Sequence, residues 1–187
     1  MSVLPFHYEN PFDYILISIA EFVAPFFHST GHTANAITFE GAIASAYSLY
    51  LLDAYRLSEF SFYYALGYFF DCLDGHFARR YHMTSKFGEY FEHAKDIITT
   101  ILYFYVLYKK FELTKSTVSI FLISGLGLMV HLGHQQLYLN SSGAFLDILK
   151  PLSTKKKNLK YTRLFGCGTF LVLSVVVPHF LKRKYMF

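Results

Sequence analysis

The sequence predicts an all-α fold: a polytopic transmembrane helical bundle of five to six spans with an N-terminal interfacial helix. Three observations carry this prediction. Hydrophobic residues make up 53% of the 187-residue chain and charged residues only 16%, a balance that favours a membrane protein over a soluble globule. Apolar stretches recur between short charged turns, several of them near the roughly 20 residues that a membrane-crossing helix needs. Aromatic residues reach 20%, with 16 Tyr and 21 Phe but no Trp, so Tyr can supply an interfacial belt. By length, 1–187 is a single integral-membrane domain. The net charge of +4 suits contact with membrane lipids and gives no sign of nucleic-acid binding. Cys72 and Cys167 are too few for a disulfide framework or a zinc cluster and read as small core residues.

The elements follow in chain order. Met1–Gly31 holds no Lys or Arg, so a cleaved signal peptide is not expected. Its apolar run, Tyr14–Phe27, is interrupted by Glu21 and Pro25 and is short for a span, which predicts an interfacial or docked helix. Thr33–Leu52 is the first full span, with Thr33 or Asn35 as its cap. Asp53–Glu59 is a polar turn. Phe60–Phe70 is too short to cross alone, so its helix must continue to about Arg80. Ile97–Tyr108 is short too, so its helix reaches back to about Gly88. Lys109–Lys115 is a charged turn, and Ser116–Tyr138 a further span with Gly125, Gly127 and Gly133 for close packing. In it, His131 and His134 share a face and read as polar glue between helices. Asn140–Lys160 is polar and basic, with Lys155–Lys157 at its centre, and Tyr161–Leu181 is the last span.

The stretch from Asp71 to Asp96 holds the chemistry. Asp71 and Asp74 are three apart, Glu92 and Asp96 four apart, so each pair shares one helix face. Measured inward from the Arg80–Lys86 connection at about 1.5 Å per residue, all four lie roughly 7–15 Å deep, at matching levels on antiparallel helices. Uncompensated carboxylates at that depth are costly, so they call for cations and a water-accessible cavity. Hard oxygen donors without thiolate suit Mg²⁺, Mn²⁺ or Ca²⁺ rather than zinc. Gly75 and Gly88 allow close approach to the two helix backbones. Intramembrane acids also mark ion pathways, so a divalent-cation transporter stays open on these residues alone.

Asp71, Asp74, Gly75, Ala78, Arg79, Gly88, Glu92 and Asp96 fall at the intervals of a known signature, D-x2-D-G-x2-A-R-x8-G-x3-D-x3-D. In this the chain resembles the CDP-alcohol phosphotransferases. The departure is Glu92, which stands where that pattern has its third aspartate. The resemblance implies an integral membrane enzyme of six spans, which transfers a substituted phosphate from a CDP-alcohol donor to a lipid or small alcohol acceptor and releases CMP. It further implies that Asp71, Asp74, Glu92 and Asp96 hold two Mg²⁺ or Mn²⁺ ions, with Asp96 also the general base. Gly75, Ala78, Arg79 and Gly88 would then line the nucleotide and phosphate site. Ala34–Thr38 is similar to the Pro-Asn-x-x-Thr segment that opens the first span in such enzymes, with Ala34 in place of proline, which adds Asn35 and Thr38 to that site. A homodimer is compatible with the resemblance.

Within the family, Gly88-Glu89-x-Phe91-Glu92-His93-x-x-Asp96 is similar to choline- and ethanolamine-phosphotransferases, whose acceptor is diacylglycerol. Tyr81, Ser85, Phe87 and Gly88 resemble the phosphatidylinositol synthases, which use CDP-diacylglycerol. The aminoalcohol reading is favoured, and the phosphatidylinositol synthase is its alternative. The changed third aspartate leaves room for an inactive lipid- or nucleotide-binding paralogue. Alternating the spans puts the larger share of Lys and Arg on the Arg79–Lys86 side, which by the positive-inside tendency faces the site to the cytosol. Because glutamate adds one methylene, the helix at Glu92 is expected to stand slightly back from the ions, or its carboxylate to bend.

Overall fold

The computed structural model describes residues 4–139, 149–150 and 158–184. The Lys155–Lys157 cluster and most of the basic Asn140–Lys160 segment lie outside them. The described residues form helices and no strand beyond one isolated bridge, Phe111 to Arg183. In order these are α1 (Pro11–Ser29), α2 (Ala34–Asp53), α3 (Leu57–Arg80), α4 (Lys86–Lys110), α5 (Lys115–Leu139), the short α6 (Leu159–Thr162) and α7 (Cys167–Val176). A 3-10 turn, Arg163–Phe165, follows α6 and another, Val177–Phe180, follows α7.

Three helical segments are long and apolar enough to cross a membrane: Pro11–Ser29, Lys115–Leu139 and Leu159–Phe180. The first differs from the expectation of a helix too short to span. The helix runs past both ends of the Tyr14–Phe27 run and reaches 19 residues despite Pro25. At about 1.5 Å per residue that is close to the thickness of a hydrocarbon core. Helices α2, α3 and α4, at 20, 24 and 25 residues, have the length but carry more polar side chains.

Local chemistry sets the helix ends. Thr33 caps α2, its hydroxyl accepting from Ala36 N at 3.2 Å, so Asn35 is left for another role. Ser85 caps α4 in the same way through Gly88 N at 3.0 Å, and α4 begins two residues before Gly88.

The chain divides into two compact units. The first comprises Leu16–Leu113 and Ser174–Phe187. Here α2 packs against both α3 and α4, whereas α3 and α4 meet each other only sparsely at the backbone. The α2–α3 crossing is built on small residues: a Cβ placed on Gly41 would lie 3.0 Å from Phe70 Cβ and 3.3 Å from Gly67 O. At one end, Ala20, Ala24, Ala34, Ile37, Leu73 and Phe77 join α1, α2 and α3 in one buried cluster. At the other, Phe60 stacks on Tyr103, whose hydroxyl donates to Ser174 O at 2.9 Å. The basic tail folds back there, with Lys184 N donating to Lys110 O at 2.8 Å.

Outward faces in this unit are apolar. Phe39, Ile43, Tyr47 and Tyr50 line one side of α2, and Ile98, Ile101, Tyr105 and Tyr108 one side of α4, all exposed. Such stripes are rare on a water-facing surface and natural on one that meets lipid.

The second unit comprises Ser2–Ile15 and Thr114–Leu173. In it the expected last span is broken at Gly166, whose backbone turns extended between the 3-10 turn and α7. The break frees carbonyls, and the buried Asn10 answers it: its amide donates to Arg163 O and to Thr169 Oγ1, both at 2.8 Å. The same side chain caps α1 by accepting from Phe12 N at 3.0 Å. Gly166 and Gly168 leave the room that Asn10 and Asp13 occupy. His131 pairs through Nδ1 with Thr162 Oγ1 at 3.1 Å, as expected of polar glue between helices.

The α2–α3 contact can be tested directly. Gly41→Leu forces a side chain into a backbone-to-backbone contact and is expected to cost roughly 1–3 kcal/mol, with Gly41→Ala costing less. The readout is the thermal melting midpoint of detergent-solubilised protein. A midpoint unchanged by Gly41→Leu would mean that the two helices do not cross so closely.

Candidate active site

The acids come together on two helices of the first unit. Asp71 and Asp74 project from α3, and Glu92 and Asp96 from α4. Donor oxygens of Asp71, Asp74 and Glu92 lie within 4.8 Å of one another. Oxygens on opposite sides of one hard divalent ion are about 4–5 Å apart, twice a bond length of 2.0–2.6 Å. The trio is therefore matched to a single ion. Asp96 is outside this trio, and its side chain is 49% exposed.

Asp74 is the deepest member, 2% exposed, and neither of its carboxylate oxygens has a hydrogen-bond partner. Thr38 neighbours it from α2, but its hydroxyl donates to Ala34 O at 3.0 Å. A buried carboxylate with both oxygens orphaned is expensive and needs a cation to offset it. An oxygen-only donor set that includes such a group fits Mg²⁺ or Mn²⁺.

The centre also holds a residue that the motif does not contain. Lys95 on α4 is buried, its side chain 5% exposed, and its ammonium donates to Asp71 Oδ1 and lies 3.2 Å from Asp96 Oδ1. Lys95 falls at one of the unspecified positions between Glu92 and Asp96, which is why the signature passes over it. A signal was nonetheless present. A lysine three residues after Glu92 and next to Asp96, on a helix otherwise apolar beyond it, must turn toward the acids or remain unpaired in lipid.

The other expected residues divide. Asn35 Oδ1 lies 3.0 Å from the position a Cβ on Gly88 would take, so α2 and the start of α4 touch where the nucleotide segment was expected. Gly75 is covered by the Arg79 guanidinium, whose Nη1 would lie 3.2 Å from a Cβ there. Ala78 instead packs on the apolar cluster shared by α1, α2 and α3.

A cavity of about 280 Å³ opens beside the acids between α2 and α4, lined by Ala42, Ala46, Phe91, Ile98 and Leu102, with Lys95 in its wall. Its lining is almost entirely apolar. Lys95 thus joins the acidic centre to an apolar surrounding.

A family model, CDP-alcohol phosphatidyltransferase, matches residues 31–177. That is well over half of the chain, and the chain belongs to this family. The family transfers a phosphate-linked group from a CDP-alcohol in phospholipid synthesis and generally uses divalent metal ions. No curated protein and no solved structure matches the chain.

Burial of Asp74 sets a test that needs no substrate. In excess chelator, Asp74→Asn is expected to melt at or above the parent, because it removes an unpaired buried charge costing roughly 1–3 kcal/mol. With Mn²⁺ added, the parent should gain stability and the variant should not. Equal gains in both would show that Asp74 is no ligand.

Proposed function

We propose that the chain is a membrane-embedded phosphotransferase that moves a substituted phosphate from a CDP-alcohol to an acceptor alcohol bearing lipid chains, with release of CMP. The observation behind it is the convergence of Asp71, Asp74 and Glu92 at the family's spacing, with the Asp74 oxygens unsatisfied. In this reading 1–187 is one catalytic domain, and α2, α3 and α4 cross the membrane together with α5 and Leu159–Phe180. Their outward apolar stripes support that. The site opens toward the Arg79–Lys86 connection, on the cytosolic side, where CDP-linked donors are available. The reading includes a homodimer in which each copy keeps its own chemistry.

Asp71, Asp74 and Glu92 would hold a divalent metal, which when bound would neutralise charge on the donor diphosphate. The protein does the rest. Arg79 offers a charge-assisted contact to phosphate, and Asn35 with Gly88 borders the nucleotide. Asp96, half exposed, accepts the proton of the acceptor hydroxyl. The hydroxyl oxygen bonds to the phosphorus that carries the alcohol group, the bond from that phosphorus to CMP breaks, and CMP departs with its electron pair. The apolar cavity beside Lys95 accommodates acyl chains next to the reacting centre.

An acceptor of the diacylglycerol type, with CDP-choline or CDP-ethanolamine as donor, is the preferred pairing. CDP-diacylglycerol with a small polyol is the second. Ser85, one of the residues behind the second pairing, is accounted for as the cap of α4.

Purified protein in detergent should release CMP from a CDP-alcohol only when both an acceptor and Mg²⁺ or Mn²⁺ are present. Asp74→Ala and Glu92→Ala should each lower the rate by about 100-fold or more, the scale seen when a transition-state charge contact is lost. Glu92→Asp keeps the charge and should retain measurable turnover. Metal transport across vesicles with indifference to CDP-alcohols would favour a transporter, and binding of CDP-alcohol without CMP release would favour an inactive paralogue.

A further inference from the structure

We infer that Lys95 is a tethered cation standing where a second metal ion would otherwise bind, so that each chain takes one divalent ion rather than two. The inference rests on the metal-dependent site proposed above and concerns its occupancy. Three carboxylates, Asp71, Asp74 and Glu92, converge within 4.8 Å, a set suited to one ion. The remaining acid of the signature, Asp96, is not part of that set and faces the Lys95 ammonium at 3.2 Å. The same ammonium bonds to Asp71, the acid that the two halves of the site share. A second ion bridging Asp71 and Asp96 would need the lone pairs that Lys95 already engages, and the space its head group fills.

The position of Lys95 makes this durable. Its side chain is 5% exposed and lies along the wall of the apolar cavity between α2 and α4, so the stem is packed and the ammonium is held among the acids. Moving the ammonium out of the cluster would leave it unpaired against an apolar lining. Glu92 contributes from the other side. Its longer side chain carries its carboxylate to Asp71 and Asp74, one helical turn from where Lys95 fills the space beside Asp96.

The test counts ions. Purified chain in detergent is titrated with Mn²⁺ while free Mn²⁺ is read by electron paramagnetic resonance. One Mn²⁺ per chain is expected. Lys95→Met, which keeps the stem and removes the charge, is expected to bind two, with the spectral broadening of neighbouring Mn²⁺ ions; Lys95→Arg is expected to remain at one. A parent value of two overturns the inference while leaving the metal-dependent reading intact. A Lys95→Met value that stays at one overturns it as well. A parent value of zero in folded protein removes the metal-dependent reading and the inference together. Should Lys95→Met fail to fold, the parent stoichiometry and Lys95→Arg decide.

Discussion

Carboxylates held away from water must be matched by cations, and the central part of this chain is arranged around that requirement. Asp74 is almost completely enclosed, with both oxygens unsatisfied, and Asp71 beside it leans on an ammonium. Isolated, such groups would cost several kcal/mol each. Together with Glu92 and Asp96 they create a strongly negative point in a weakly polar surrounding, where opposite charges attract far more strongly than in water. That is a poor device for stability and a good one for attracting a hard cation.

The helices are placed to serve this point. Small residues at Gly41 and Gly67 let α2 and α3 approach closely, and α2 also carries α4. Because α3 and α4 themselves touch sparsely, the acids reach across a gap and do not pack face to face. Long side chains suit such a gap. Glu92 and Lys95 are two long charged residues of α4 there, and both reach the aspartates of α3. Beside the gap, between α2 and α4, lies the apolar cavity that has Lys95 in its wall.

In the second unit, backbone satisfaction rules in place of charge. A helix interrupted at Gly166 exposes carbonyls that nothing in a hydrocarbon environment would satisfy. Asn10 supplies donors to Arg163 O and Thr169 Oγ1 while capping α1, so one buried amide fastens the N-terminal segment to the interrupted helix. The exchange is local, and it explains why two glycines sit where Asn10 and Asp13 must fit.

Composition, turn chemistry and the fixed intervals from Asp71 to Asp96 were enough to define helices close to those observed, the family and the acidic cluster. Those features are local: apolar length, capping by Thr33 and repeats of three and four residues are written along the chain. The length of α1 was less legible, because Glu21 and Pro25 interrupt an apolar pattern that the helix nevertheless continues through. The break at Gly166 was not legible at all, since its compensation comes from Asn10, more than 150 residues earlier. The same holds for Ala78, whose methyl group turns toward the cluster formed by α1 and α2. Above all, the sequence marks Lys95 only by its place between Glu92 and Asp96 and does not name its partner on α3. That its ammonium reaches Asp71 was decided by how α3 and α4 come together, because a partner 24 residues away is set by what folding brings within reach and not by position in the chain.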